Sequence, residues 1–230
     1  MTKSLADVTV IAVTSVNLKE TIATLESCRK ALPFGAVKMI SDRKWRGVEE
    51  NGIIFERLGC HINLGGKLKL ETIDDYSDYI FKHLHTHIET SHALLVQADS
   101  GIMHPDVWDN DWLDYDYIGA PWLYSQHSYI CKETKEHVRV GNGGFSLRSK
   151  KLMELPSKIG MPLVQEQGFW SEDGNICVYH RVEMLKNGIK YAPIDVASKF
   201  SYENLMSANY KVRPFGWHKN HPIKTWEDNE

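Results

Sequence analysis

The stretch "DVTVIAVTSV", Asp7 to Val16, is an almost uninterrupted run of apolar and β-branched residues. Such a run is typical of a strand that is buried on both faces, as strands of parallel sheets usually are. The following segment, residues 17–35, predicts a helix, because Asn17 suits the N-cap and apolar residues recur at helical spacing. "AVKMISD", Ala36 to Asp42, then predicts a second strand. A helical connection between two strands favours parallel pairing, so we expect an α/β fold.

Length and composition bound the class of protein. The chain has 230 residues, 42% hydrophobic and 25% charged, with a net charge of −3. This length suits one α/β domain, and we expect a single domain over residues 1–230 with residues 221–230 flexible. No basic excess points to nucleic acid. We find no signal-peptide pattern and no transmembrane segment, so we expect a cytoplasmic protein, whereas the oligomeric state stays open.

Cysteines and histidines give no clear metal motif. Cys28, Cys60, Cys131 and Cys177 are widely scattered, without a CxxC pair, and we expect reduced thiols. The stretch "KHLHTHIETSH", Lys82 to His92, places two histidines four residues apart. It lacks the intervening acid of an HExxH motif and lies on a packing helix, so we assign it no chemistry.

Two longer helices are predicted in the rest of the chain. The first covers residues 74–92, and its buried face is formed by Tyr76, Ile80, Leu84 and Ile88. The second runs from Ser171 to a stop at Gly188, with Ile176, Tyr179, Val182 and Leu185 inward.

The other segments are shorter or less regular. Residues 42–69 are predicted to be loop with at most one short strand at Ile53–Phe55, and residues 156–168 an irregular loop after a short helix at 150–154. Residues 189–203 predict a late strand.

A carboxylate stands where a buried strand ends. In "HALLVQADSG", His92 to Gly101, the apolar run ends at Val96 and Asp99 follows closely. Ligands of open α/β sheets bind at the carboxyl ends of the strands, which favours a functional Asp99. An aspartate also commonly caps a turn such as "DSG", so both interpretations stay open from this stretch alone.

Three further stretches hold polar groups whose role is open. The glycines of "VGNGGFSLRS", residues 140–149, permit either close approach of a ligand or a plain turn. The stretch does not match the phosphate-binding GxxxxGK[ST] motif, and the first strand is not followed by a GxGxxG motif. Glu172 and Asp173 in "WSEDGN" suit the first turn of a helix, or a general base at a pocket. His218 in "PFGWHK" suits a packed imidazole or a metal ligand.

Taken in order, "LLVQADSGI", "YDYIGAPW", "VGNGGFSLRS", "SED", "YAPIDVASKFSYE" and "PFGWH" resemble a group of small glycosyltransferase-like proteins of the GT-A type. The resemblance runs from about Val8 to His218. It implies a single GT-A (Rossmann-like) α/β domain, with a mostly parallel central sheet flanked by helices and a small additional antiparallel portion. It also implies a nucleotide-sugar donor and a divalent cation, Mn²⁺ or Mg²⁺, held by an Asp-x-Asp element. Here that triplet is Gln97-Ala98-Asp99, and the first acid is absent.

The resemblance also implies roles for individual residues. Asp99 and His218 would bind the metal, and Asp173 would be the base of an inverting transfer, with Glu172 as the alternative. The donor-binding residues would be Thr14, Ser15, Gln97, Asp99, Asn142, Gly143 and Gly144. Trp122, Trp170 and Trp217 are candidate platforms for the sugar or the nucleotide base.

The acceptor is not identified by the sequence. A glycan, a lipid-linked sugar, a protein or a modified nucleic acid would each supply a hydroxyl. We expect acceptor choice to reside in the insert at residues 123–137 and the loop at residues 156–169, because binding loops are carried on rigid scaffolds.

Two rival functions follow from the same residues. The incomplete acid motif would suit an inactive sugar- or nucleotide-binding module of the same fold. A nucleotidyltransferase would need a glycine-rich basic loop near the N-terminus, which "VTSVNLKET", residues 13–21, does not provide.

Overall fold

The computed structural model describes residues 4–43, 48–61, 69–124, 129–165 and 171–222. Its strands are β1 Val8–Val13, β2 Ala36–Ser41, β3 Val48–Glu50, β4 Ile53–Arg57, β5 His92–Val96, β6 Ser100–Ile102, β7 Tyr117–Ile118, β8 Phe145–Ser149, β9 Ser201–Tyr202 and β10 Gly216–His218. Its helices are α1 Leu18–Ala31, α2 Ile73–His83, α3 Lys150–Ile159, α4 Glu172–Gly174, α5 Arg181–Lys186 and α6 Ile194–Phe200.

A seven-stranded sheet in the order β3-β4-β2-β1-β5-β8-β7 forms the centre of the fold. The four strands β4, β2, β1 and β5 are parallel, and β3 and β8 flank them in antiparallel orientation. Val10 lies in register with Val37 of β2 and with Leu94 of β5. The predicted α/β class with a Rossmann-like central sheet is confirmed, as is the parallel pairing of the first two strands.

The sheet separates two apolar layers. All six residues of β1 are buried. Ile11 and Val13 face a layer that includes residues of α2, α3 and the segment after α4, whereas Val10 and Ala12 face a layer that includes residues of α1 and α6. Alternate residues of β1 therefore contribute to opposite cores, which explains its continuous apolar run. Tyr76, Ile80, Leu84 and Ile88 are buried as predicted. The helix predicted over residues 74–92 is shorter, however, because α2 ends at His83, a turn of 3-10 helix follows at Leu84–His87, and His92 begins β5.

The short strand predicted at Ile53–Phe55 is confirmed as β4, whereas the prediction of loop for the rest of residues 42–69 missed β3. β4 pairs in parallel with β2, and β3 adds an antiparallel edge strand. β4 also extends beyond the predicted strand to include the buried Glu56. The Glu56 carboxylate is paired with the equally buried Lys38 ammonium of β2 at 3.0 Å.

Two predicted element types were also wrong. α3 continues through Pro156 and ends only at Gly160, whose φ of +70° suits glycine at a helix end. Residues 194–200 form α6 instead of a strand, because Pro193 and an acidic first turn start a helix there. Strand geometry is limited to the two residues of β9.

The second long helix is interrupted by a π-helical turn at Asn175–Tyr179. The amide of His180 donates to the carbonyl oxygen of Asn175 at 2.9 Å, five residues back. A π turn holds more residues than an α turn and therefore rotates the face that follows. Consequently Leu185, predicted inward, is largely exposed, and Met184 is buried in its place.

A small sheet of β6, β10 and β9 completes the architecture. β10 runs antiparallel to β6 and parallel to β9. Among the described residues no helix is both long and apolar enough to cross a membrane. The predicted flexibility of residues 221–230 falls mostly on residues 223–230, which lie outside the described ranges, and the single-domain assignment stays a prediction.

Candidate functional site

The predicted site residues come from segments that are distant in sequence and meet at one edge of the sheet. The carboxyl ends of β1 and β5 lie side by side, and β8 begins there because Phe145 pairs with Val96. β10 then pairs with β6 so that His218 stands opposite Ser100, next to Asp99. This topology brings the ends of β1 and β5, the glycine-rich loop and the late histidine together.

A cleft of about 340 Å³ opens at this edge, which lies within the usual range for small-ligand sites. Three segments line it, namely the residues after β1, the approach to α2 and the residues after β5. They comprise Val13, Thr14, Ser15, Val16, Asn17, Thr21, Leu70, Glu71, Thr72, Ile73, Tyr76, Val96, Gln97, Ala98 and Asp99. Four of the seven predicted donor-binding residues, Thr14, Ser15, Gln97 and Asp99, are therefore in the cleft wall.

The two hydroxyls after β1 differ in what they contact. Thr14 Oγ1 donates to the carbonyl oxygen of Val16 at 2.7 Å and thus holds its own turn. Ser15 Oγ is buried and has no hydrogen-bond partner within the described residues. A buried polar atom without a partner is costly, which makes the Ser15 hydroxyl a candidate contact for a ligand in the cleft.

His218 and Asp99, the two predicted metal ligands, lie together. His218 Nε2 is 3.7 Å from Asp99 Oδ1 and 3.1 Å from Gln97 Oε1. The His218 ring is buried, whereas 56% of the Asp99 side chain is exposed. The other nitrogen, Nδ1, lies 3.3 Å from Glu203 Oε1. One imidazole therefore has an oxygen atom beside each of its nitrogens.

This arrangement suits a cation. A neutral imidazole carries a proton on only one nitrogen, so it cannot donate to oxygens on both sides. With the proton on Nδ1, the nitrogen nearest to Glu203, the lone pair of Nε2 points to the side where the Gln97 and Asp99 oxygens lie. Metal-binding histidines commonly have this kind of carboxylate partner behind them. The residues fit Mn²⁺ or Mg²⁺ if a diphosphate and water supply further oxygen ligands.

Glu203 is a site residue that the sequence did not identify. It follows β9, and its buried carboxylate contacts His218 and, at 3.4 Å, Lys219 Nζ. Burial raises the pKa of Glu203, but the contacts with His218 and Lys219 outweigh this and lower the pKa below its ordinary value. An ionised Glu203 places a negative charge beside the His218 ring. Its place in "FSYE", at the end of the strand predicted over residues 189–203, was the available signal.

The glycines of the loop make room for side chains of the site itself. A Cβ on Gly144 would lie 2.0 Å from His218 Nε2, and one on Gly143 would lie 2.3 Å from Glu172 Oε1. Asn142 adopts a left-handed conformation, with φ of +69°, and its Oδ1 accepts from the Gly144 amide at 3.1 Å. The loop is therefore shaped to lie against the histidine and the acidic pair.

Glu172 belongs to the interior. It is 3% exposed, and its Oε1 accepts from the fully buried Arg148 Nη2 at 2.9 Å. Burial and the charge of Asp173 raise the pKa of Glu172, against the opposing effect of Arg148. Because the Glu172 carboxylate is paired with Arg148 in the interior, the position of Glu172 supports a structural role. It does not support the predicted alternative role of Glu172 as the base.

Asp173 is half-buried and lies beside the glycine-rich loop. Its Oδ2 accepts from the Gly143 amide at 2.8 Å, and its Oδ1 accepts from the Gly174 amide and from Ser171 Oγ. Asp173 and His218 therefore contact adjacent residues of the loop, since Gly144 packs against the histidine. Asp173 therefore binds the loop one residue before the glycine that lies against His218.

The predicted tryptophan platforms differ in position. Trp122 is 5% exposed and stacks on Tyr129 with ring centroids 4.1 Å apart, so it is a core residue and not a platform. Trp217 is half-buried and packs against His221. Trp170 lies outside the described residues, as do residues 125–128 of the predicted acceptor insert and 166–170 at the end of the loop.

The fold and the site together define an α/β protein with a ligand cleft at the carboxyl edge of a Rossmann-like sheet. The sequence signature of DUF5672, described as a family of proteins of unknown function, matches residues 63–218. Because the match covers more than half of the chain, the protein belongs to this family. The matched range includes β5, the glycine-rich loop, the acidic pair and His218, whereas β1 precedes it. A search of the curated proteins finds no match.

Proposed function

We propose that this protein transfers a sugar from a nucleoside-diphosphate sugar to an acceptor hydroxyl, with a divalent cation and with inversion. The observation that carries the proposal is the meeting of Asp99, Gln97 and His218 Nε2 beside a cleft of about 340 Å³. The sequence resemblance to GT-A glycosyltransferases supplies the reaction class. The fold adds support, because open α/β sheets bind nucleotides at this edge.

The charge of the cleft supports a cation-dependent donor. None of the described residues that line it is Lys or Arg, whereas Glu71 and Asp99 are acidic. A diphosphate would be repelled by such a wall unless a cation stood between them. When bound at Asp99 and His218, Mn²⁺ or Mg²⁺ would neutralise the charge that develops on the departing diphosphate.

The chain's own residues would divide the remaining work. Ser15 would hydrogen-bond the nucleoside within the cleft, and Asn142 with its two following glycines would border the sugar. Asp173 would accept the proton of the acceptor hydroxyl as that oxygen bonds to the anomeric carbon. The bond from the anomeric carbon to the diphosphate breaks in the same step, and the nucleoside diphosphate leaves.

For the acceptor we propose only a surface, the insert at residues 123–137, and not a particular compound. The insert beginning at Leu123 presents Tyr124, which is exposed and stacks on His137 with centroids 4.5 Å apart. Arg139 lies 5.1 Å from the same Tyr124 ring. Exposed aromatic faces of this kind suit carbohydrate or other ring-bearing acceptors. The cytoplasmic location expected from the sequence is also part of the proposal and is tested by locating a tagged chain in cells.

An inactive binding module is the second candidate, and one observation favours it. Both carboxylate oxygens of Asp173 already accept hydrogen bonds from backbone amides. The side chain could therefore hold the loop and take no proton. In that case the cleft would bind a nucleotide-sugar without breaking it.

Release of nucleoside diphosphate from a panel of nucleotide-sugars separates the two candidates. The purified chain is incubated with each donor, with Mn²⁺ or with a chelator, and with varied acceptors. We expect Mn²⁺-dependent release that is lost in Asp99→Ala and retained in Asp195→Ala, which removes an exposed aspartate at the start of α6. Donor binding without release under all conditions would reject transfer and support the module.

A further inference from the structure

A second cluster of metal-ligand side chains lies at the end of β4, outside the cleft. Glu56 is in β4, Cys60 and His61 are in the turn that follows, and His87 closes the turn of 3-10 helix at Leu84–His87 after α2. The ligand atoms of these four residues all lie within 4.8 Å of one another. None of the four residues lines the cleft.

The cluster converges on one oxygen atom. Glu56 Oε2 is 2.5 Å from His87 Nδ1, 3.0 Å from His61 Nε2 and 3.9 Å from Cys60 Sγ. Each of these three groups carries a proton that it can direct at the carboxylate. A single cation would replace those protons and be bound by the same four atoms.

The neighbouring residues leave Glu56 Oε2 available to bind a cation. Lys38 Nζ binds the other oxygen, Glu56 Oε1, at 3.0 Å. His87 Nε2 lies 2.7 Å from Tyr79 OH, which accepts from the Gly59 amide at 2.9 Å. A hydrogen bond at the second nitrogen is what orients a metal-binding imidazole.

The donor set selects the metal. One thiolate, two imidazoles and one carboxylate are the ligands of tetrahedral zinc sites, whereas Mg²⁺ and Ca²⁺ take oxygen ligands. Zinc bonds of roughly 2.0–2.3 Å place tetrahedral ligand atoms about 3.4 Å apart. His87 Nδ1 and Glu56 Oε2 would move apart by about 1 Å to reach this spacing. Cys60 and His61 are exposed and can adjust to the cation.

We propose that Glu56, Cys60, His61 and His87 form a zinc site that fastens the turn after β4 to the end of α2. The site is independent of the proposed transferase activity. Its effect on the molecule would be to hold the turn after β4 against the 3-10 turn at Leu84–His87.

Cobalt substitution tests the proposal on the intact chain. The protein is stripped with chelator under a non-thiol reductant and titrated with Co²⁺ and then with Zn²⁺. We expect one Co²⁺ to give the near-ultraviolet charge-transfer band of a thiolate ligand together with the visible bands of a tetrahedral centre, and Zn²⁺ to displace it. The band distinguishes this site from the Asp99 and His218 pair, which offers no sulfur, and its loss in Cys60→Ser separates it from the other three cysteines.

Variants locate the ligands. Cys60→Ser and His61→Ala change exposed side chains and should fold normally, and we expect each to lose affinity for Zn²⁺ roughly a hundredfold or more. His85→Ala is the matched control, since His85 belongs to the same histidine-rich segment and lies outside the cluster. Asp99→Ala should retain the band. Absence of the band in the wild-type chain, or its persistence in Cys60→Ser, would overturn the proposal.

Discussion

Replacing Gly144 with alanine should displace His218 and remove the candidate metal site while leaving the fold in place. The added Cβ would lie 2.0 Å from His218 Nε2, 2.2 Å from Cδ2 and 2.4 Å from Cε1. Carbon and nitrogen atoms pack no closer than about 3.5 Å, so the ring must move by about 1.5 Å. Gly144 does not have a positive φ, so the effect of alanine there is steric and not conformational.

The expected magnitude follows from what metal bonds tolerate. Ligand distances in metal sites hold to within about 0.2 Å, which is far less than the displacement of the ring. We therefore expect the affinity for Mn²⁺ in the presence of a nucleoside diphosphate to fall about tenfold to a hundredfold. The overpacked loop should also lose about 1–3 kcal/mol of unfolding free energy.

Two measurements and one control variant test this reasoning. Mn²⁺ affinity is measured by electron paramagnetic resonance of the free ion, and stability by urea unfolding. Gly160→Ala is the control, because its φ of +70° makes alanine cost about 1–2 kcal/mol while its Cβ would meet no atom within 4 Å. The reasoning is refuted if Gly144→Ala binds Mn²⁺ like the wild type, or if Gly160→Ala loses it equally.

Asp173→Asn should lower turnover far more than donor affinity. Asn cannot take the proton of the acceptor hydroxyl, but it can still accept a hydrogen bond from the Gly143 amide. Unchanged steady-state kinetics in this variant would discard Asp173 as the base. Arg148→Met should destabilise the fold by roughly 3–5 kcal/mol in urea unfolding, because it leaves Glu172 as an unpaired buried charge, and Glu172→Gln in the same chain should recover part of the loss. A double variant as unstable as Arg148→Met would contradict this. Ser15→Ala should change unfolding free energy little and weaken nucleotide binding severalfold, because its hydroxyl has no partner among the described residues; equal calorimetric affinity would show that no ligand binds it.

The parallel core of the fold was predictable because its signal is local. β1, α1 and β2 follow each other in the chain, and each has a pattern of apolar residues that identifies its type. The misassigned elements depend on distant contacts instead. β4 extends past the predicted Ile53–Phe55 to Glu56, whose burial is explained by its contacts with Lys38 on the neighbouring strand and with His87, and no local pattern reveals those contacts. The π turn at Asn175–Tyr179 likewise changed which residues of the helix face inward.

The candidate site was predictable in its members but not in their contacts. Asp99 and His218 were identified from short motifs, and the topology of β6 and β10 places them side by side. Glu203, which lies beside the other nitrogen of His218, belongs to "YAPIDVASKFSYE" but received no role, because its contact with His218 depends on three-dimensional packing. The cluster at Glu56 was not predictable for the same reason. His87 lies beside Cys60 and His61 of the turn after β4, whereas the sequence suggested a pairing with His83.

The linkage between Mn²⁺ and nucleoside diphosphate tests the central claim, that Asp99 and His218 hold a cation together with the diphosphate. A nucleoside diphosphate is titrated calorimetrically into the wild-type chain and into Asp99→Ala, each with and without Mn²⁺. We predict that Mn²⁺ tightens binding to the wild type at least tenfold, about 1.4 kcal/mol, and leaves Asp99→Ala unchanged. Equal affinity of the wild-type chain with and without Mn²⁺ would contradict the account.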